Sequence, residues 1–266
     1  MHLKRWLTSI ILLPLILLLI FHGGEALFFL LIAAVNLVVL HEFSRIVYHP
    51  RPDPVYRTLS YAVGTLVLWY GFQEQFSAVA LLLVLNLMAS ATICLVRFGS
   101  DPQAVDRLFR QSAGMIYGPL LLFCLIWLRR GSDGPAWILV LLCLSFAGDT
   151  AAFYAGTTLG KRPLAPKLSP KKTVEGAVGG LLGAVGAAAV VKAFLLPSVS
   201  WPAALVYFFL AAAVGQAGDL FESSLKRSAG VKDSGELLPG HGGLLDRIDA
   251  LLFAAPVVLA AKLTFG

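Results

Sequence analysis

Trp201–Phe221, WPAALVYFFLAAAVGQAGDLF, runs for 21 residues with one charged side chain, Asp219. A helix needs about 20 such residues to cross the hydrocarbon core of a bilayer. Directly behind it, Ser224–Asp249 reads SLKRSAGVKDSGELLPGHGGLLDRID, with four acids, four bases, a His and a Gly-rich turn. Charge beside hydrocarbon is costly, so a cluster of this kind marks chemistry or transport. Working outward in both directions, the same alternation of apolar block and polar break fills the chain.

The composition agrees. Of 266 residues, 58% are hydrophobic and 14% charged, with a mean hydropathy of +0.81. A soluble domain is nearer to about 45–50% apolar and about 25% charged. The expectation is an all-α polytopic membrane protein of about nine spans. These are Trp6–Phe21, Ala26–Ser44, Leu59–Tyr70, Ala78–Val96, Ser112–Leu128, Ala136–Ala155, Val174–Phe194, Trp201–Phe221 and Leu251–Leu263, the third and ninth short. Residues before the first span and in alternate loops hold seventeen of the 21 Lys and Arg. The positive-inside rule then puts the N-terminus in the cytoplasm and the C-terminus outside, in a cell's inner membrane. The first span follows Lys4-Arg5 but is long, contains Pro14 and lacks a small-x-small cleavage site, so it reads as retained.

The net charge of +6 is explained by those anchoring bases beside anionic headgroups rather than by nucleic acid. Cys94, Cys124 and Cys143 lie in apolar spans and read as small buried hydrophobes. Acids in residues 1–135 sit at span ends or in loops, whereas those of residues 136–266 cluster. The first half therefore reads as a transmembrane scaffold of five helices, the second as a catalytic region of four helices and two motif loops. His41-Glu42, near the end of the second span, reads as an interfacial pair, or else as a residue facing the polar cavity.

The candidate chemistry lies in the second half. Asp149 falls about six residues, roughly 9 Å, short of the end of its span. A carboxylate there needs a partner or a metal, and its surroundings, AGDTAAFYAG, are built from small residues. The following loop, GKRPLAPKLSPKKT, holds five bases, three prolines and no acid, and its prolines set an extended, irregular path. SPKKT brings Ser169, Lys171, Lys172 and Thr173 to a helix N-terminus, which favours anions, and Glu175 reads as a cap complementing the helix dipole. Gln216, Asp219 and Ser223 share one face of a helix, with Glu222 beside them. Asp246 and Asp249 are i, i+3 neighbours at the start of the last span. Gly240, Gly242 and Gly243 offer backbone N–H groups for an anion-binding nest, with His241 as a phosphate or headgroup contact. Oxygen ligands without Cys or paired His suit Mg²⁺ (or Mn²⁺), alone or with a second cation. Metal-assisted phosphoryl or nucleotidyl transfer at a membrane face is the chemistry these residue types favour.

The pattern S-L-K-R-x4-K-D-S-G-x2-L-P-G-H-G-G-L-L-D-R-I-D over Ser224–Asp249 closely resembles the signature of the phosphatidate cytidylyltransferases, the CDP-diacylglycerol synthases. Asp149–Gly176 also resembles that family, which shows D-x-x-A-Y-x-x-G-R-x-x-G-K before S-P-K-K-T-x-E-G. Thr157 stands where the family has Arg, leaving one phosphate contact to Lys161 or Arg162. The resemblance covers roughly residues 145–255. It implies that CTP and phosphatidic acid give CDP-diacylglycerol and pyrophosphate, at the cytoplasmic face and in a homodimer. The lipid phosphate, largely dianionic at neutral pH, would attack the α-phosphorus without a protein base. On this reading Asp149, Asp219, Asp246 and Asp249 are catalytic, with Asp219, Asp246 and Asp249 holding the metal. Lys226, Arg227, Lys232, His241 and Arg247, with Ser169, Lys171, Lys172 and Thr173, would bind the substrates. The competing classes are a CTP-dependent lipid-alcohol kinase, which would pass on the γ-phosphate, and a cation-coupled transporter, which would place its charges at mid-membrane.

Overall fold

The apolar blocks become helices whose polar breaks are short enough to reverse the chain. The computed structural model describes residues 14–235, 237 and 242–265. Among these, eight long helices follow one another: α1 Gly24–Val47, α2 Pro54–Phe72, α3 Phe76–Arg97, α4 Ala104–Leu128, α5 Gly134–Leu159, α6 Val174–Leu195, α7 Trp201–Ser228 and α8 Leu245–Phe265. All but α2 are long and apolar enough to cross a membrane. Residues 14–22 are helical too, so the first expected span lies only partly within the described residues. Expected Gly240 and His241 contacts lie outside them as well.

α2 is 19 residues long, not the short span expected over Leu59–Tyr70. Its polar first turn, Tyr56-Arg57-Thr58, hides the start from hydropathy. Pro54 opens the helix, and the Asp53 carboxylate caps it by accepting from Val55 N at 3.1 Å and Tyr56 N at 3.3 Å. The same carboxylate pairs with Arg97 at 2.6 Å and Arg107 at 3.0 Å, tying together three helix ends on one face. A second clasp closes the opposite face. There Arg130 pairs with Glu74, Lys262 with Asp133 at 3.1 Å, and Gly131 N donates to Glu25 at 3.2 Å. Residues from the starts of α1 and α5 and the ends of α2, α4 and α8 thus meet at one level, so α2 runs the full thickness of the bundle.

Two short strands depart from the all-α expectation. The Pro-rich loop is no irregular path but an antiparallel hairpin, β1 Pro163–Ala165 against β2 Ser169–Thr173. Thr173 then ends the hairpin and caps α6, its hydroxyl accepting from Gly176 N at 3.1 Å. α5 and α6 pack backbone to backbone. A Cβ added at Gly179 would stand 2.3 Å from the Ala155 Cβ, and one at Gly183 2.3 Å from that of Ala151. Small residues at four-residue spacing are what such an approach requires.

Candidate active site

That close α5–α6 seam forms one wall of a cavity of about 410 Å³, and α7 and α8 form the other. Its inner part is lined by small apolar side chains such as Ala184, Ala211 and Ala254, and its outer part carries Asp149, Thr157, Lys171, Lys172, Thr173 and Asp219. Asp149 follows a π-helical segment, Cys143–Ala147, inside α5. One extra residue per turn re-aims everything after it, and such segments recur at functional sites. α5 continues to Leu159, so Asp149 lies ten residues from its end. That is roughly 15 Å from the helix end, against the six residues expected from the apolar block alone. In the helix's polar last turns Thr157 and Thr158 bond back to main-chain oxygens of Phe153 and Tyr154. Thr157 spends its hydroxyl on that turn, and Arg162 donates its Nε to Glu175 at 3.0 Å. Glu175 also accepts from the backbone of Lys161 and Arg162, pinning the turn that enters the hairpin rather than capping its own helix alone.

The hairpin brings Lys172 onto Asp219 as an ion pair. Gln216, one turn earlier on α7, donates to Ala177 O at 2.9 Å and holds α6 against this face. Asp249 is buried, accepts from Ala250 N, and lies within Coulombic range of Asp219, Asp149 and Lys226. Asp149 in turn feels Asp219, Lys172 and Arg247. Asp149, Asp219 and Asp249 thus lie near one another on three helices, whereas Asp246, expected with Asp219 and Asp249, is paired with Lys226. Among the described residues, no three His, Cys, Asp or Glu stand together as a ready-made cation cage.

Next to this cavity sits a buried charge network. Lys226 pairs with Glu222, one turn back on α7, and with Asp246 of α8 at 2.6 Å. Glu222 is 0% exposed and Asp246 only 8%. The ammonium expected to hold phosphate is thus neutralised twice within the protein. Arg227, also expected on phosphate, donates to Leu168 O at 3.3 Å and holds the tip of the hairpin. Ser169 is half-buried in β2, and Lys232 is exposed beyond α7.

The Gly-rich turn differs most from expectation. Of the three glycine amides expected to form a nest, that of Gly243 is already taken. Gly243 N donates to Asp246 at 2.9 Å, and so does Ser234 N at 3.0 Å. Leu244 N and Leu245 N donate to Glu42 at 3.0 and 2.7 Å. The start of α8 already has its negative charge, from a carboxylate in α1 that is 2% exposed. Glu42 is the site residue that the sequence reading left undecided. Its one signal was an acid placed inside an apolar helix, where charge needs a partner.

Fold and site together define a helical membrane protein with an acid- and base-lined cavity running between its later helices at one face. The chain belongs to the cytidylyltransferase family, whose model it matches over residues 3–265. It is similar to a phosphatidate cytidylyltransferase of Thermotoga maritima, at 31% identity over 85% of this chain and 84% of that one. It is also 42% identical to a phosphatidate cytidylyltransferase of Staphylococcus saprophyticus, over 48% of this chain and 49% of the relative. The uncharacterized protein YnbB of Escherichia coli is 45% identical over 47% of this chain and 41% of its own. The matched segment thus spans about half or less of the last two relatives.

Proposed function

We propose that the protein transfers the cytidylyl group of CTP to phosphatidic acid, giving CDP-diacylglycerol and pyrophosphate, as a step of phospholipid synthesis. The observation that carries this reading is the cavity itself. It joins a headgroup-level set of lysines and carboxylates to an apolar interior between helices, so one end suits phosphates and the other a lipid. The names of the T. maritima and S. saprophyticus relatives support the same substrates.

The donor set suits a divalent ion. Asp149 accepts no hydrogen bond from any described residue and shares the cavity with Asp219, and Asp249 stands close by. Mg²⁺ is commonly held by one or two carboxylates together with substrate phosphates. Asp219 and Asp249 are the proposed ligands, with Asp149 beside them; Asp246, expected as a third, is already engaged by Lys226 and by the amides of Ser234 and Gly243. When bound, the ion would neutralise charge on the reacting phosphate oxygens. Lys171 and Lys172 on the hairpin orient the triphosphate, Arg247 adds charge at the mouth, and Thr173 fixes the helix end beneath. A phosphate monoester is already mostly dianionic at neutral pH, so no side chain is needed as base. Positioning and charge neutralisation are the protein's part.

The positive-inside count supports a cytoplasmic site in an inner membrane, and the family resemblance supports a homodimer. The test uses purified protein with phosphatidic acid and CTP, following pyrophosphate release. Release should require both substrates, stop on chelation and return with Mg²⁺. Release that persists undiminished in chelator would remove the metal from the reading, and none under any condition would remove the activity.

A further inference from the structure

Glu42 lies outside the cavity, in the half of the chain that reads as scaffold, yet it organises the start of α8. One carboxylate oxygen accepts from Leu244 N at 3.0 Å, and the other from Leu245 N at 2.7 Å and the Ser234 hydroxyl at 3.0 Å. The chain folds tightly round it. A Cβ at Gly235 would fall 2.4 Å from one Glu42 oxygen, and one at Gly243 2.7 Å from the other. Gly242 completes the turn at φ +80°, where a Cβ would also press on Asp246 at 2.9 Å. Ser234 is shared, its hydroxyl on Glu42 and its amide on Asp246. Two carboxylates from opposite ends of the sequence thus clamp residues 234 and 243–245 together. The first turn of α8 that they fix carries Asp246, with Asp249 one turn on.

We propose that Glu42 is a positioning residue for the reaction, setting the place of Asp246 and Asp249 through the amides of Leu244 and Leu245. Both oxygens are needed. In Glu42→Gln one becomes an NH₂ that points a donor at an amide donor, whichever way the side chain turns. A buried N–H then lacks its partner, and the start of α8 shifts to find one. A misplacement on the order of 1 Å at a reacting centre costs about 100-fold in rate. Binding of CTP through the hairpin lysines on the far side of the cavity should change little.

This kinetic argument rests on the cytidylyltransferase reading, so the experiment carries a readout independent of activity. Wild type, Glu42→Gln, Glu42→Asp and Ser234→Ala are purified in one detergent. Each is measured for melting temperature, amide hydrogen exchange, and kcat and KM for CTP. In Glu42→Gln, exchange should quicken at residues 242–250 while α1 to α4 keep wild-type protection. kcat should fall at least tenfold with KM changed less than about threefold. Glu42→Asp, one methylene short of both amides, should show the same signature and decides the matter if the Gln variant does not fold. Ser234→Ala leaves both amide bonds and should stay within about threefold of wild type. A folded Glu42→Gln or Glu42→Asp protein with wild-type kcat overturns the proposal. So does a loss of rate accompanied by uniformly faster exchange, which marks a general fold contact. If wild type itself transfers nothing, the functional reading fails, and the exchange pattern alone still decides whether Glu42 holds this turn.

Discussion

Lys226 offers the sharpest conflict between the sequence pattern, which puts it on phosphate, and the structure, which puts it between two buried acids. The perturbation is Lys226→Met, which keeps the stem and removes the charge. It leaves Glu222, 0% exposed, and Asp246, 8% exposed, facing each other without a counter-ion. Removing one partner of a buried pair typically costs about 3–5 kcal/mol. In a chain of this size, 1 kcal/mol moves the melting temperature by roughly 2–4 °C, so the midpoint should drop by roughly 6–20 °C. The compensating variant is Lys226→Met with Glu222→Gln. It removes one of the two acids, while Asp246 keeps the amides of Ser234 and Gly243. The double variant should recover at least half of the lost stability. Thermal unfolding in detergent, followed by exposure of the buried cysteine Cys94 to a thiol dye, measures both. A single variant that melts within about 2 °C of wild type would show that Lys226 is no structural counter-ion, and would return it to phosphate binding.

Other expectations follow from the same geometry. Gly179→Ala pushes a methyl to 2.3 Å from the Ala155 Cβ, so it should destabilise by about 1–3 kcal/mol. Adding Ala155→Gly to it should restore most of that, because the methyl has only changed sides. Asp219→Ala should abolish turnover with membrane insertion and melting temperature near wild type, since its partner Lys172 is on a hairpin open to solvent. Near-normal activity in that variant would remove Asp219 from the metal site.

Much of the bundle is legible in the apolar blocks, because a membrane span carries its signal locally. The helices from Gly24–Val47 to Leu245–Phe265 run past their apolar blocks at polar ends, by eight residues at the start of α4 and six at the start of α8. α2 starts before its apolar stretch because Asp53 and Pro54 cap it, and α7 runs past Phe221 because Lys226 gives Glu222 a partner. That Asp149, Asp219 and Asp249 need partners was readable, since charge in an apolar helix is costly. What each charge does was not readable. Whether a lysine meets phosphate or a carboxylate depends on which helix lies opposite, and Lys226 and Asp246 are 20 residues apart in the chain. Glu42 and Leu245 are separated by 203 residues, and no local pattern encodes that contact. The hairpin at Pro163–Thr173 was hidden for another reason. Its prolines argue against a helix, and they are equally compatible with a two-stranded edge whose ladder bonds they do not need to make.

The most direct test of the account is which phosphorus of CTP reaches the lipid. Purified protein is given phosphatidic acid, Mg²⁺ and CTP labelled on either the α- or the γ-phosphate, and lipid and aqueous phases are counted separately. The account predicts α-label in the lipid and γ-label in released pyrophosphate. Label from the γ-position in the lipid, with CDP left in water, would contradict it and make the protein a kinase.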